Sequence, residues 1–219
     1  MSKLIYLPGF IFFIFAASFA EPTIAVDTVK LATPEMDKCL LQALQNRQSR
    51  RDILDQQLSS QQLSELLWAA NGVNRADGKR TAPAAFNTQV VDLYVVLQEG
   101  IYLYEPKGHY LLSCVKGDFR SYAGTQEFVY TAPVNLIYVV DLDKYQFLPE
   151  YAGQVTDEQK MNWALISVGC QAQNVNLYCA AEGLGATVRG LIDVERFSQA
   201  AKLKPAQRIV LAQTVGMVK

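Results

Sequence analysis

The chain has 219 residues, of which half are hydrophobic and 19% are charged, and its formal net charge is −1. This length supports one substantial hydrophobic core, and the composition is typical of a globular protein. The charge balance lacks the clustered excess of Lys and Arg that marks a nucleic-acid-binding surface, so we predict no nucleic-acid partner.

The first twenty residues have the features of an export signal. Lys3 supplies a positive charge, and residues 4–15 form an apolar stretch. Ser18 and Ala20 are small residues at the −3 and −1 positions of a cleavage site. The alternative is an uncleaved membrane anchor, although a Pro-Gly break makes the stretch marginal for spanning a bilayer. We therefore predict a signal peptide over residues 1–20, export to the periplasm, and no stable membrane span after cleavage.

Two helices are predicted near the start of the mature chain. A flexible lead-in over residues 21–35 precedes the globular domain over residues 36–219. Leucines at helical spacing predict a first helix over residues 36–46. A second helix begins at Ser59, where Ser59 and Gln62 fit a capping box, and it ends at Asn71-Gly72 before a long polar loop.

The middle of the chain predicts antiparallel strands. Hydrophobic runs separated by turn residues form a meander over residues 91–97, 101–104 and 110–115. A short helix is predicted over residues 118–124, and another strand over residues 133–141.

A long helix over residues 156–182 is the clearest prediction in the chain. Thr156 and Gln159 form a capping box, and Gly183 serves as its C-terminal cap. Its surface is apolar or small almost all round, which predicts burial in a core or between subunits. The remaining elements are a strand over residues 186–192, a short helix over 194–201 and a strand over 208–215. This order predicts an α+β domain with a mainly antiparallel sheet.

The cysteines and the single histidine point to neither a metal site nor a hydrolase. The four cysteines have no metal-ligand spacing. Cys170 and Cys179 lie nine residues apart in one predicted helix, which separates them by about 13 Å along its axis and excludes a disulfide. His109 falls in a hairpin turn and is predicted to be exposed. Its isolation argues against a Ser-His-Asp triad.

Three polar segments are candidates for ligand binding. In Arg47-x-Ser49-x-Arg51, guanidinium and hydroxyl donors alternate along an extended segment and suit a phosphate, with a solvated basic loop as the alternative. Asn87 and Gln89 carry the donors and acceptors needed to read the edge of a heteroaromatic ring. Arg189-Gly190, at a strand end, could offer backbone N–H groups. The amides at 171, 173 and 174 are interpreted as a structural network inside the long helix.

In this order the segments resemble the FMN-dependent nitroreductase family, and within it the branch near the SagB-type dehydrogenases. The resemblance covers residues 40–219. It is carried by Arg47-x-Ser49-x-Arg51, by residues 63–89, by residues 169–186 (GCQAQNVNLYCAAEGLGA) and by the closing RIVLAQTVGMVK.

The resemblance implies an α+β sandwich that forms an intertwined homodimer with two FMN sites, each built from both subunits. It assigns no catalytic side chain and no metal. It implies that Arg47, Ser49 and Arg51 hold the FMN phosphate and ribityl chain, with Lys219 joining the phosphate site. It also implies that Asn87 of the other subunit contacts the flavin ring with Gln89 nearby, and that backbone around Arg189 and Gly190 approaches flavin N5.

The implied activity is an FMN-dependent oxidoreductase that transfers electrons through flavin N5 to a nitroaromatic or a quinone. Because NAD(P)H is not expected outside the cytoplasm, a flavin-dependent dehydrogenase that uses another organic donor is an alternative. Two departures leave a non-catalytic flavin-binding protein as a further alternative. Ala84 and Ala85 replace a serine that is common in the family, and residues 216–218 lack the usual Gly-Tyr-Pro-like ending.

Overall fold

A computed structural model of the chain describes residues 39–145 and 153–219. The predicted signal peptide, the predicted lead-in and the start of the first predicted helix lie outside the described residues. Within those two ranges, no helix is long and apolar enough to cross a membrane.

The described residues form helices and strands in the following order: α1 (Cys39–Asn46), α2 (Ser60–Asn71), β1 (Val91–Leu97), β2 (Gly100–Glu105), β3 (Tyr110–Lys116), α3 (Glu127–Thr131), β4 (Val134–Asp141), α4 (Asp157–Ala181), β5 (Gly185–Arg189), α5 (Val194–Ala201) and β6 (Gln207–Gly216). Short 3₁₀ turns lie at Ala85–Asn87, Arg120–Tyr122 and Leu142–Lys144.

The strands form one six-stranded sheet in the order β3-β2-β1-β4-β6-β5, and all neighbouring strands pair antiparallel. This confirms the predicted α+β class. Every residue of β4 is buried, because β4 has a neighbour on each side and helices over each face. Leu136 and Tyr138 join the core cluster under α2 and α4, whereas Ile137 and Val139 join the cluster that contains Phe197 of α5. This alternation follows from the two-residue period of a strand.

Capping interactions fix the ends of the two longer helices as predicted. Ser59 with Gln62 begins α2, and Thr156 with Gln159 begins α4, each through a reciprocal capping box. Gly183 follows α4 with φ of 68°, a left-handed conformation that suits glycine and ends a helix.

The predicted helix over residues 118–124 is wrong in extent. The structure has only a 3₁₀ turn at Arg120–Tyr122, and the short helix α3 after it was not predicted. Arg120 is buried, and its side chain donates to the Asp118 carboxylate at 2.7 Å and to the Thr131 carbonyl at 3.1 Å. One of these bonds is local and the other reaches a carbonyl eleven residues away, and together they hold the segment as a loop.

His109 is exposed, as predicted, but its ring is not free. It has φ of 52°, and its Nδ1 lies 2.8 Å from the Tyr104 hydroxyl. Its Nε2 lies 2.7 Å from Ser64 Oγ on α2. Burial raises the pKa of Tyr104 to about 12, so this hydroxyl stays protonated at neutral pH. The contacts tie the β2–β3 turn to α2.

The amides of α4 contribute to packing between helices and sheet. Asn174 Nδ2 donates to the Ala69 carbonyl of α2 at 3.0 Å. Gln213 of β6 donates to Asn176 Oδ1 at 2.8 Å and accepts from the buried Tyr138 hydroxyl at 2.6 Å. All four cysteines are free, and Cys179 is buried, which confirms that Cys170 and Cys179 are not bridged.

Candidate functional site

The segment after α1 lies along the edge of the sheet beside β5 and the end of β6. Ser49 forms a parallel bridge with Ala186, and the Arg50 backbone N–H donates to the Ala186 carbonyl at 3.1 Å. Further along, Ile53 forms an antiparallel bridge with Val218. Backbone pairing with β5 and with the residues that follow β6 therefore fixes the position of the Arg47-x-Ser49-x-Arg51 motif.

The two sides of this segment have different surroundings. Asn46, Gln48 and Arg50 line a cavity of about 200 Å³ between the segment and the end of α4. Because successive residues of an extended segment point to opposite sides, Arg47, Ser49 and Arg51 lie on the side away from that cavity. The three residues of the predicted phosphate site thus share one side.

The arginines of the segment differ in their partners. Arg50 Nε donates to Asp52 Oδ1 at 2.8 Å, and this bond holds the pKa of Asp52 at about 2. Within residues 39–145 and 153–219, the side chains of Arg47 and Arg51 have no hydrogen-bond or ion-pair partner. Two cations are therefore available beside the exposed Ser49, and this donor set fits a phosphate dianion.

Lys219 lies next to the same segment. Arg50 Nη2 donates to the backbone carbonyl of Lys219 at 3.1 Å. The Lys219 charge also contributes, after the larger effect of the Arg50 hydrogen bond, to the lowered pKa of Asp52. The structure therefore brings the C-terminal lysine to the segment that carries the arginines.

Gly190 lies at the opposite end of β5 from the arginine segment. It lies four residues after Ala186, which corresponds to about 13 Å along the strand. Gly190 is exposed, and among the described residues other than its chain neighbours no heavy atom lies within 4 Å of where its Cβ would be. The strand end therefore borders open space that a flat ring could occupy.

The Arg189 side chain points into the protein rather than toward that space. It is 7% exposed and donates to Thr214 Oγ1 at 2.7 Å and to Asn135 Oδ1 at 2.9 Å. It also donates to the carbonyls of Ala123 at 2.5 Å and Leu191 at 3.2 Å. The Arg189 side chain is therefore engaged inside the protein, and the approach of the backbone around Arg189 to flavin N5 stays a prediction. The side-chain network was not predicted, and its one signal in the sequence is Asn135 inside an apolar strand.

The loop before β1 has an unusual backbone. Phe86, Asn87 and Gln89 have positive φ values of 54°, 53° and 52°. Left-handed conformations of non-glycine residues are uncommon and cluster at functional sites, since each costs about 1–3 kcal/mol. Gln89 Nε2 donates to Asn87 Oδ1 at 2.7 Å, so the two predicted ring-contacting amides are held together.

Within one chain, these amides and the arginines lie far apart. Phe86 packs edge-on against Trp163 near the start of α4, with ring centroids 5.3 Å apart. The cavity beside Arg50 is lined by Cys179, near the end of α4. Sixteen helical residues separate Trp163 from Cys179, a distance of about 24 Å. A single chain therefore does not bring Asn87 and Gln89 to the arginine segment.

A metal centre has no support in the described part of the chain, where no group of three or more His, Cys, Asp or Glu residues could hold an ion. The described residues instead form a cationic segment with Arg47 and Arg51, with Lys219 next to it and the exposed end of β5 at Gly190. These features lie along one edge of an antiparallel sheet.

Comparison with known proteins defines the class. The model of the nitroreductase family matches residues 44–217. A protein from Ralstonia eutropha assigned as a nitroreductase has a crystal structure with a TM-score of 0.74 and 35% identity, covering 89% of this chain and 87% of that one. A protein assigned as a nitroreductase in Methanocaldococcus jannaschii is 27% identical over 189 residues, which is 81% of this chain and 92% of the relative.

A more distant solved structure has the same fold. The NADPH:FMN oxidoreductase of Vibrio harveyi, solved with NAD+, has a TM-score of 0.61 at 16% identity, covering 83% of this chain and 70% of that one. The family match spans most of the sequence, and the chain belongs to the nitroreductase family. This confirms the resemblance to the nitroreductase family and places the protein among oxidoreductases, while the branch near the SagB-type dehydrogenases stays a prediction.

Proposed function

We propose that this protein is an exported, FMN-dependent oxidoreductase that passes electrons through flavin N5 to a small organic acceptor such as a nitroaromatic or a quinone. The observation that carries the proposal is the pair of unpartnered arginines, Arg47 and Arg51, on either side of Ser49 at the sheet edge. Family membership supports the reaction class, and the similarity in fold to an NADPH:FMN oxidoreductase supports the cofactor.

In this proposal the phosphate end of FMN binds at the arginine segment. Arg47 and Arg51 donate charge-assisted hydrogen bonds to the phosphate oxygens, Ser49 donates a neutral one, and Lys219 adds positive charge. When bound, the flavin supplies reversible two-electron chemistry at N5. The length of β5 between Ala186 and Gly190 leaves room for a ribityl chain, so the backbone around Gly190 orients the ring edge.

We propose that the site is completed by a second copy of the chain. Asn87 and Gln89 lie about 24 Å along α4 from the arginine segment, so they reach a flavin held there only from another subunit. Large apolar side chains exposed on three helices supply a surface for such a dimer. They are Leu40 and Leu44 of α1, Trp68 of α2, and Leu165 and Ile166 of α4. The proposal requires the purified protein to sediment as a dimer.

The main experiment compares three arginine variants of the mature protein. Arg47→Ala and Arg51→Ala each remove a contact to phosphate, worth about 2–5 kcal/mol when desolvated, so the FMN dissociation constant rises at least about 30-fold. Arg50→Ala is the matched control, because Arg50 faces the cavity and already pairs with Asp52. Its FMN affinity changes by less than about threefold, measured by quenching of flavin fluorescence. Equal losses in all three variants would contradict the proposed orientation.

Two further measurements separate the alternatives. A purified protein that is colourless and cannot be reconstituted with FMN would contradict an FMN enzyme. That result would favour a binding protein that has lost the activity, as the Ala84 and Ala85 departures suggest. A yellow protein whose flavin is reduced by neither NADH nor NADPH would instead favour a dehydrogenase that takes electrons directly from an organic substrate.

A further inference from the structure

Arg189 is a buried cation without a counter-charge. All four of its hydrogen bonds go to neutral oxygens: the Thr214 hydroxyl, the Asn135 amide, and the carbonyls of Ala123 and Leu191. In the part of the chain that the structure describes, no carboxylate oxygen lies within 4.0 Å of this guanidinium. Buried charged groups in proteins are normally paired, so this arrangement calls for an explanation.

The charge of Arg189 persists at neutral pH. Loss of hydration lowers the pKa of Arg189 to about 10, which still leaves the guanidinium protonated at pH 7. An apolar side chain of similar volume would avoid the desolvation cost and often stabilises a protein when it replaces a buried ion. Retention of an unneutralised charge therefore suggests a role beyond packing.

The surrounding chain leaves space for this guanidinium close to Gly190. A Cβ at Gly124 would lie 2.3 Å from Arg189 Nη1, so only glycine permits the observed position. The same Nη1 donates to the carbonyl of Leu191, the residue immediately after Gly190. Arg189 therefore holds the residues that follow β5 through the Leu191 carbonyl and places its charge close to Gly190.

We propose that Arg189 is a positioning residue that orients the Gly190 backbone toward the flavin and that its unneutralised charge raises the flavin reduction potential. The inference rests on the proposed function, in which the ring edge lies at Gly190. Two electrons and one proton entering the flavin at N5 leave the reduced ring with a negative charge near N1. A buried cation favours that anionic form over the neutral oxidised form, since low dielectric strengthens the attraction.

The test neutralises the charge while keeping the volume of the site. Asn135→Asp places a carboxylate where the Asn135 oxygen already accepts from Arg189. Thr214→Val is the matched control, because it removes a hydrogen bond to Arg189 Nε but leaves the charge unneutralised. FMN-reconstituted protein is titrated with dithionite beside a reference dye. At the midpoint potential of the wild type, Asn135→Asp lowers the ratio of reduced to oxidised flavin at least about tenfold. This corresponds to a reduction potential lower by about 30 mV for a two-electron couple. Thr214→Val leaves that ratio unchanged while lowering the unfolding midpoint.

Equal potentials in wild type and Asn135→Asp, or equal shifts in Asn135→Asp and Thr214→Val, would overturn the electrostatic role. If Asn135→Asp does not fold, Arg189→Gln removes the charge directly and must lower the ratio in the same way. Failure of wild-type protein to bind FMN refutes the proposed function. Normal FMN binding with an unchanged potential in the variants refutes only the inference about Arg189.

Discussion

Gly185 allows the arginine segment to lie against the sheet edge, and Gly185→Ala tests whether that placement matters for flavin binding. A Cβ at this position would lie 2.1 Å from Val218 Cγ1 and 3.1 Å from Arg50 Cβ. Carbon atoms pack at about 3.5–4.0 Å, so Val218 Cγ1 must move away from β5 by about 1.5 Å and the segment at Arg50 by about 0.5 Å.

The expected cost has two parts. Overpacking of this kind destabilises a protein by about 1–3 kcal/mol. Movement of the segment by about 0.5 Å also lengthens and weakens the proposed hydrogen bonds from Arg47 and Ser49 to the phosphate, and a bond to a charged group contributes about 1.5–3 kcal/mol. We therefore expect the FMN dissociation constant to rise by about ten- to a hundredfold, although no flavin ligand has been changed.

The assay combines urea unfolding with an FMN titration. Gly183→Ala is the control, because Gly183 has φ of 68° and, in the part of the chain that the structure describes, no heavy atom beyond its chain neighbours lies within 4 Å of where its Cβ would be. An alanine there costs about 1–2 kcal/mol of backbone strain but leaves the segment in place, so FMN affinity is retained. If Gly185→Ala loses stability and still binds FMN as tightly as wild type, the segment does not hold the cofactor.

Two other predictions concern single hydrogen-bonded pairs. Tyr138→Phe leaves the buried Gln213 Oε1 without its donor at 2.6 Å, so the free energy of unfolding falls by about 1–3 kcal/mol in urea titrations. No loss would mean that Gln213 finds another partner. The Asp52 carboxyl titrates at about pH 2 because of the Arg50 hydrogen bond. The folded pKa of Asp52 lies below its unfolded value of about 3.9. The ionised carboxylate therefore stabilises the fold above about pH 3.9, and this contribution is lost as the pH falls toward 2. An NMR midpoint near pH 4 would contradict the ion pair.

The sequence predicted the parts of the fold that local patterns determine. The capping boxes at Ser59 and Thr156 mark helix starts because side chain and backbone satisfy each other within four residues. The strand meander was predicted for a similar reason, since turn residues interrupt hydrophobic runs at short intervals. In contrast, the turn at Arg120 depends on a buried guanidinium and a carbonyl eleven residues away, which no local pattern encodes.

The candidate site was only partly accessible from sequence. The alternation in Arg47-x-Ser49-x-Arg51 predicted that these side chains share one side, and the structure leaves the side chains of both arginines without described partners. The left-handed backbone at Phe86 was not predicted, since an aromatic residue carries no signal for positive φ, whereas Asn87 is of a type that tolerates this conformation. The Arg189 network could not be predicted either, because it joins β4, β5, β6 and the Ala123 turn across long stretches of sequence.

The position of β6 within the sheet has a consequence for how the protein is made. β6 lies between β4 and β5, yet it is the last strand to leave the ribosome. The hairpins of β1, β2 and β3 can pair early during synthesis, whereas β5 has no strand neighbour in this sheet until residues 207–216 emerge. A nascent chain therefore exposes the edges of β4 and β5 that face β6 until residues 207–216 have emerged, and holdase chaperones have their best opportunity to engage it during that interval.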